Sequence, residues 1–206
     1  MFITLYGINN IGKSTQAKRL VERLKKEGYQ VEYVKYPAYE IEPSGHYINE
    51  YLRGDANGRG RNEMTEDELQ MWFAINRYQF EPTLKGWLAE GKIVVAEDYR
   101  GTGIAWGTTK GADTEWLESI NSHLLDEDFV VMLDGERFIR AKEAGHAHED
   151  NDEFMQRSRE VHDMLAEKYG WTVVQTIPGD IDGTADRVWD LVAKRLPGLH
   201  IPEKSA

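Results

Sequence analysis

Residues 7–14, Gly7-Ile8-Asn9-Asn10-Ile11-Gly12-Lys13-Ser14, match every specified position of the pattern G-x-x-x-x-G-K-[ST]. An apolar run, Phe2–Tyr6, precedes this segment, and apolar side chains at helical spacing follow it over residues 17–24. The glycines let the main chain curl so that successive N–H groups point at phosphate oxygens, and the start of the helix adds the positive end of its dipole. The segment therefore predicts a strand, a phosphate-binding loop (P-loop) and a helix that together bind a nucleoside triphosphate.

Individual positions of this loop have separate tasks in binding ATP with magnesium. Lys13 places a positive charge on the β- and γ-phosphates, so we expect it to be a catalytic residue. Ser14 offers a hydroxyl oxygen, the kind of ligand that Mg²⁺ prefers. The motif alone leaves the reaction open, because ATPases, GTPases and small-molecule kinases share it. The candidate ATP contacts are Gly7, Asn9, Asn10, Ile11, Gly12, Lys13, Ser14 and Thr15.

The composition of the chain narrows the class of protein further. Its 206 residues, 40% of them hydrophobic and 30% charged, suit one globular α/β domain. The net charge of -11 argues against a nucleic-acid polymer as partner, since a basic face supplies most of the affinity in such complexes. The absence of cysteine excludes disulfides and thiolate metal sites, and it fits a cytoplasmic location. No apolar run is long enough to cross a membrane, so we expect no membrane partner.

Short apolar runs alternate with helical patterns along the chain, which is typical of βαβ units and a parallel sheet. The candidate strands are Phe2–Tyr6, Gln30–Tyr36, Ile93–Glu97, Phe129–Leu133 and Thr172–Ile177. A first helix is expected from Ser14 to a stop at Gly28, and later helices over residues 65–80, 82–90, 113–125, 135–144, 152–169 and 183–195. Pro82 is expected to begin a new turn or to kink the helix.

These elements predict an α/β protein with a three-layer P-loop NTPase fold, in which helices flank a parallel five-stranded sheet. We expect residues 1–196 to form a single domain, with a small lid at about residues 137–153. Residues 197–206 are expected to be a loosely held C-terminal tail. The glycine-rich residues 53–63 and the polar residues 145–153 are predicted loops.

Three segments, in this order, make the chain similar to a known family. They are the P-loop with Thr15-Gln16, the run Trp72-Phe73-Ala74-Ile75-Asn76-Arg77, and Val94–Tyr99 (VVAEDY) with Gly101–Trp106 (GTGIAW). Over roughly residues 1–195 the chain resembles thymidylate kinases, P-loop nucleoside monophosphate kinases that serve dTTP biosynthesis. The resemblance implies that the chain transfers the γ-phosphate of ATP to dTMP, giving dTDP, with Mg²⁺ as cofactor. It also implies a homodimer.

The run at residues 72–77 carries the expected base-recognition residues. Phe73 and Arg77 are four residues apart, so they share one face of a helix. The resemblance implies that Phe73 stacks on thymine and that Arg77 donates to a carbonyl of the base. The residues alone leave open a core phenylalanine and a surface cation.

The glycine-rich segment after residue 98 is the second part of the expected substrate site. Gly103 lets the main chain pass close to the substrate. The resemblance implies that this segment helps to select the deoxy sugar, with Thr102 in contact and with the rings of Tyr99 and Trp106 near the sugar and base. A packing role for Trp106 remains an alternative.

Glu97 and Asp98 end an apolar strand, and ligands of open α/β sheets bind beyond the carboxyl ends of strands. Glu97 is expected to be catalytic, holding Mg²⁺, directly or through water, or orienting the acceptor; two solvated acids are the alternative. The family normally has Asp-Arg-Tyr at these positions, so Asp98 replaces an arginine that grips the acceptor phosphate. Tyr39 stands where the family often has a second such arginine.

A dianionic acceptor must still be held by cations. The residues that could replace the two arginines are Lys35, Arg53, Arg59 and Arg100. The sequence leaves the choice among them open, and it also leaves open a changed acceptor such as a modified deoxyuridylate. Arg100 adjoins the Asp98 motif, and we include it with Tyr39 and Asp98 among the substrate contacts.

The lid is the expected source of the catalytic cation. Thymidylate kinases carry a catalytic arginine either in the P-loop or in the lid, and this P-loop offers only Asn9 and Asn10. The resemblance therefore implies catalytic roles for Arg140 and Lys142, with Arg137 as a third choice. A solvated cationic face is the alternative for each of them.

Two other functions remain open at this stage. One is a kinase of another deoxynucleotide, including a modified one, or of a deoxynucleoside. An acidic Asp98 favours that nucleoside acceptor, because a sugar hydroxyl needs a base, whereas Phe73 and Arg77 favour dTMP. The other is a regulatory module that binds nucleotide without transferring phosphate.

Overall fold

The computed structural model of the chain describes residues 1–54, 64–137 and 152–196. Its centre is a five-stranded parallel sheet in the order β2-β3-β1-β4-β5. The strands are β1 (Phe2–Tyr6), β2 (Val31–Lys35), β3 (Ile93–Glu97), β4 (Phe129–Asp134) and β5 (Thr172–Gln175). Each of the five predicted strands is confirmed, and the predicted three-layer α/β fold with it, because runs of buried valine, isoleucine and aromatic residues mark them clearly.

Seven helices in the described ranges connect and flank the sheet. They are α1 (Lys13–Lys26), α2 (Ser44–Arg53), α3 (Glu66–Ala89), α4 (Arg100–Thr109), α5 (Thr114–Asn121), α6 (Asp152–Tyr169) and α7 (Ile181–Ala193). None of the helices in the described segments is long and apolar enough to span a membrane.

Two apolar layers hold the helices against the sheet. On one face Ile3 and Leu5 of β1 pack in a cluster with Leu24 of α1 and Val188 of α7. On the other face the alternate residues of the strands, beginning with Phe2, pack against α3. The period of two along each buried strand sends successive side chains to opposite faces, which explains why the two layers share the same strands.

One long helix, α3, replaces the two predicted helices over residues 65–80 and 82–90, so the predicted break is wrong. Pro82 lies inside α3 and removes one backbone hydrogen bond. Phe80 and Leu84 on either side of it are buried in the core, and this packing holds the helix together. The predicted start is confirmed, since Thr65 and Glu68 form a reciprocal capping box.

Helix α4 was missed because its glycines lower helix propensity. A Cβ atom on Gly101 would collide with the rings of Tyr6 and Trp171, and one on Gly107 would collide with Leu117. The glycines therefore let α4 pack closely on its neighbours.

Helix α2 was also missed. Several predictions fall mostly or wholly outside the described residues. They are the loops over residues 53–63 and 145–153, the helix over 135–144, the lid and the tail at 197–206.

Candidate active site

A cavity of about 740 Å³ opens beyond the carboxyl ends of β1, β2 and β3. The P-loop residues that line it are Asn9, Asn10, Gly12, Lys13, Ser14 and Thr15. The predicted acceptor residues that line it, with Glu97, are Tyr39, Phe73, Arg77, Asp98, Tyr99, Thr102, Gly103 and Trp106. The structure thus brings the candidate triphosphate loop and the candidate acceptor residues into one space.

The P-loop curls as its sequence predicts. Asn10 and Gly12 have positive φ values of 63° and 98°. Gly7 has φ of 136°, and a Cβ atom there would collide with the carbonyl oxygen of Leu133. Inside the curl, Nζ of the buried Lys13 donates to the carbonyl oxygens of Gly7 at 2.8 Å and Ile8 at 3.1 Å. The lysine charge is therefore fixed over the loop, where polyphosphate oxygens bind to main-chain N–H groups.

Glu97 lies at the end of β3 beside the first turn of α1. Ser14 Oγ donates to Glu97 Oε1 at 2.6 Å, and Tyr33 donates to Oε2 at 2.7 Å. Burial alone would raise the pKa of Glu97, but the Ser14 hydrogen bond, the Lys35 ammonium 3.1 Å away and the Tyr33 hydroxyl together lower it. An ionised carboxylate next to a serine hydroxyl provides the hard oxygen ligands that Mg²⁺ prefers.

Asp98 follows in a left-handed conformation, with φ of 63°. Its largely buried carboxylate lies 3.8 Å from Lys13 Nζ and accepts a 2.8 Å hydrogen bond from Thr102. Burial raises the pKa of Asp98, and the charge of Lys13 opposes that rise. This position therefore presents a carboxyl group, not a cation, to the cavity.

Helix α3 presents Phe73 and Arg77 to the same cavity, as their spacing predicts. Arg77 is buried and donates to Asn121 Oδ1 at 2.6 Å, which fixes its guanidinium. Burial lowers the pKa of Arg77. A Cβ atom on Gly103 of α4 would collide with that guanidinium, so the glycine makes room for it. A half-buried ring and a fixed guanidinium can stack on a planar base and donate to its edge.

A model of the thymidylate kinase family matches residues 5–177. The chain belongs to the thymidylate kinase family. It is 28% identical to a probable thymidylate kinase of Thermococcus kodakarensis, over 95% of this chain and 98% of that one. It is 27% identical to the human thymidylate kinase, over 84% of this chain and 80% of the human one.

The fold of a solved thymidylate kinase from Candida albicans is also similar, with a TM-score of 0.78 over 94% of this chain and 91% of that one. Their sequences are 20% identical, so this likeness supports the fold alone. Membership of the thymidylate kinase family makes the chain an ATP-dependent phosphotransferase, in agreement with the complete P-loop.

The two departures from the family pattern, Tyr39 and Asp98, both line the cavity. Arg100, one candidate substitute, does not line it and is paired with Asp126 and Glu127, each at 2.7 Å. The placement of Arg100 among the substrate contacts was therefore wrong, because α4 begins at this residue and directs it to the acids before β4. Arg59 lies outside the described residues.

Of the remaining predicted site residues, some line the cavity and others are buried in the core. Tyr99 is buried, and its ring packs 5.1 Å from those of Phe2 and Tyr36, so it forms the floor of the cavity and part of the core. Trp106 lines the cavity and stacks on Phe154 at 5.7 Å, which joins α4 to α6. Gly7 and Ile11 do not line the cavity, and Ile11 is buried in the core.

The candidate lid cations Arg140 and Lys142 lie outside the described residues. Cavity residues that the sequence analysis missed include Leu52, Leu69, Gln70 and Lys110. Gln70 could have been found, because it shares a helix face with Phe73 and Arg77 at i, i+3 and i+7. Leu52 could not, because no helix was predicted over residues 44–53.

Buried His162 of α6 makes stability sensitive to pH. Its Nδ1 donates to the Ser158 carbonyl at 2.7 Å, whereas Nε2 is buried with no hydrogen-bond partner in the described structure. Burial lowers the pKa of His162 to about 4. An unfolded histidine has a pKa of about 6.5, so the unfolded chain gains the proton first as the pH falls.

We therefore expect the free energy of unfolding to decrease by up to about 3 kcal/mol as the pH falls from about 6.5 towards 4, because His162 stays neutral in the folded protein and is protonated in the unfolded chain. His162→Asn should weaken this loss, whereas the same change at the exposed His123 should leave the pH dependence as in the wild type. Urea unfolding of the three proteins across this pH range measures the effect. Parallel curves for the wild type and His162→Asn would contradict it.

Proposed function

We propose that this protein transfers the γ-phosphate of ATP to dTMP, giving ADP and dTDP. The observation that carries the proposal is the position of Phe73 and Arg77, which line the cavity that the P-loop also lines. A base held by those two side chains places its nucleotide in the same cavity as the triphosphate of the donor. Proximity and orientation of this kind account for much of the catalysis of phosphoryl transfer.

On the donor side, the P-loop N–H groups and Lys13 bind the β- and γ-phosphates and neutralise charge that develops during transfer. Ser14 and Glu97 would hold Mg²⁺, which supplies further neutralisation of the transferred group when bound. The 2.6 Å contact between Ser14 Oγ and Glu97 Oε1 supports this role, since the two oxygens lie close enough to serve one ion, directly or through water.

On the acceptor side, Phe73 would stack on thymine and Arg77 would donate to a carbonyl of the base. Thr102, Gly103 and Trp106 of α4 would border the sugar. An acceptor phosphate is already an anion at neutral pH and attacks through its own oxygen, so no general base is required. Cations are required instead, to hold the acceptor dianion close to the triphosphate.

The lid at about residues 137–153 would supply the catalytic cations of Arg140 and Lys142. The P-loop carries asparagines at positions 9 and 10, so it has no arginine of its own to reach the transferred group. A lid that brings these cations over the site would also exclude water and so limit hydrolysis of ATP.

The double change of Arg140 and Lys142 to alanine is expected to lower kcat about 100-fold or more, with little change in the KM values. Steady-state kinetics with ATP and dTMP measure this. The matched control replaces two exposed lysines at the end of α1, Lys25 and Lys26, with alanine. An undiminished kcat in the lid variant would place the catalytic cations elsewhere.

A panel of acceptors with γ-labelled ATP tests the proposed function. We expect label in dTDP and much less label with dUMP, dCMP, dGMP or thymidine. The buried carboxyl of Asp98 favours one competing function, a deoxynucleoside kinase, in which that group would act as base. Transfer to thymidine but not to dTMP would establish that competitor, and binding of ATP without transfer to any acceptor would indicate a regulatory module.

The assembly and location follow the family by analogy. We include in the proposal a cytoplasmic homodimer with residues 1–196 as one domain. Met71 and Ile75 lie one turn apart on α3 and are 43% and 39% exposed. Next to Met71 in the sequence, Trp72 stacks with Tyr47 of α2. An exposed apolar face of this kind suits an interface between copies. Sedimentation of the wild type and of Ile75→Lys is the test, and a monomeric wild type would contradict the dimer.

A further inference from the structure

The acceptor phosphate in the proposed reaction needs a cation, and the structure narrows the choice among those that line the cavity. This inference rests on the proposed function, because it concerns the phosphate of the acceptor monophosphate. Within the described part of the chain, five cationic residues line the cavity, namely Lys13, Lys35, Arg53, Arg77 and Lys110.

Three of these cations are committed to other groups. Lys13 is bound to carbonyl oxygens inside the P-loop, which assigns it to the triphosphate. Lys110 forms a 2.7 Å ion pair with Glu66. Arg77 is buried and fixed by Asn121, at the place proposed for the base.

Lys35 and Arg53 then remain, and they differ in what holds them. The Lys35 ammonium lies 3.1 Å from Glu97, the carboxylate that also accepts from Ser14. That contact ties Lys35 to the triphosphate and metal side of the cavity. Arg53, the last residue of α2, makes no salt bridge within the described segments, and its side chain is exposed at the cavity edge.

Arg53 lies on an aromatic platform. Its guanidinium carbon is 4.9 Å from the centroid of the Tyr39 ring. The N–H donors of a guanidinium lie in its own plane, so an aromatic ring against its face leaves them able to bind a phosphate in a bidentate way. The contact also limits the rotamers of a long side chain, which lowers the entropy cost of ordering it on binding.

The platform itself is held firmly. Ala38, next to Tyr39, exchanges two hydrogen bonds with the buried Asn76 of α3, at 2.8 and 2.9 Å. Asn76 also donates to Ser44 at the start of α2. A Cβ atom on Gly45 would collide with the main chain of Tyr39, so α2 packs directly against this segment.

We propose that Arg53, seated on the ring of Tyr39, is the residue that grips the phosphate of the acceptor nucleotide. Where the family often has an arginine, Tyr39 then contributes a ring that positions the Arg53 guanidinium of α2. Asp98 makes such a cation more necessary, because its carboxyl group faces the same cavity.

The test compares a ligand that carries the phosphate with one that lacks it. Arg53→Ala should raise the KM of dTMP about 10- to 100-fold, as expected for the loss of a charge-assisted hydrogen bond, with the KM of ATP within about twofold. Inhibition by thymidine should stay within about twofold of the wild type, because thymidine has no phosphate. Tyr39→Arg added to Arg53→Ala should restore much of the lost affinity for dTMP, since it places a cation at the position where the family often has one.

Arg195→Ala is the matched control. Arg195 is likewise exposed and lies 3.8 Å over an aromatic ring, that of Phe129, but it does not line the cavity. Unchanged kinetics for dTMP in Arg53→Ala, or an equal loss of affinity for thymidine and dTMP, would overturn the assignment. A wild-type protein that fails to use dTMP would instead refute the proposed function, so the two failures are distinguishable.

Discussion

The Lys13→Ala variant is expected to lose at least about 1,000-fold in kcat while it stays folded. Lys13 Nζ is a buried cation held at 2.8 Å from the Gly7 carbonyl, in the loop that we propose binds the β- and γ-phosphates. Without it, the charge that develops on the transferred phosphoryl group loses its fixed neutralising partner. Among the described residues, the amine that this change removes contacts loop carbonyls and the Asp98 carboxylate, so the apolar core should remain intact.

Single-turnover kinetics with labelled ATP and dTMP measure the loss of chemistry directly. The matched control is Lys18→Ala on the exposed face of the same helix, which should retain wild-type kcat. Thermal unfolding of both variants checks the fold. Turnover within about tenfold of the wild type in Lys13→Ala would mean that the lysine is not part of the catalytic machinery.

Arg77→Ala is expected to raise the KM of dTMP about 100-fold, with the KM of ATP within about twofold. The guanidinium is fixed by a 2.6 Å hydrogen bond to Asn121, so its donors have a set direction in the acceptor part of the cavity. The proposed triphosphate contacts lie on the P-loop, and this change does not touch them. Because Arg77 is buried, the variant should also unfold at a lower temperature, and kinetics must be measured well below that point.

Gly103→Ala tests the same claim without removing the arginine. Its methyl group would displace the Arg77 guanidinium, so the KM of dTMP should rise and that of ATP should not. Lys85→Ala, on the exposed side of α3, is the control for changes in this helix. Equal increases in both KM values for Arg77→Ala would refute a role in base recognition.

The sequence predicted the structure best at positions where the backbone conformation or burial allows few residue types. The P-loop needs glycine at positions 7 and 12, where φ is positive, and the strand before it is uniformly buried, so both were predictable. Helical spacing alone predicted that Phe73 and Arg77 share one face of a helix, whereas their expected place beside a substrate came from the resemblance to thymidylate kinases. Helix α4 was not, because its glycines have low helix propensity and are favourable only once Tyr6, Arg77 and Leu117 pack against them.

The cations that could replace the family's two phosphate-binding arginines were harder to predict from the sequence. Arg100 is the nearest cation to Asp98 along the chain, yet it pairs with Asp126 and Glu127 away from the cavity. Arg53 is fourteen positions after Tyr39 and reaches its ring only because α2 returns the chain to that place. Proximity in sequence favoured Arg100, whereas the course of α2, which the sequence did not reveal, brings Arg53 to Tyr39 at the cavity.

Phosphorus NMR of ATP, dTMP and Mg²⁺ with catalytic amounts of the protein tests the central claim most directly. For a kinase of dTMP, the γ-resonance of ATP should decline as resonances of ADP and dTDP grow in equal amounts, and omission of dTMP or Mg²⁺ should prevent this. Release of inorganic phosphate instead of dTDP, or an unchanged spectrum with all components present, would contradict the assignment of this chain as a kinase of dTMP.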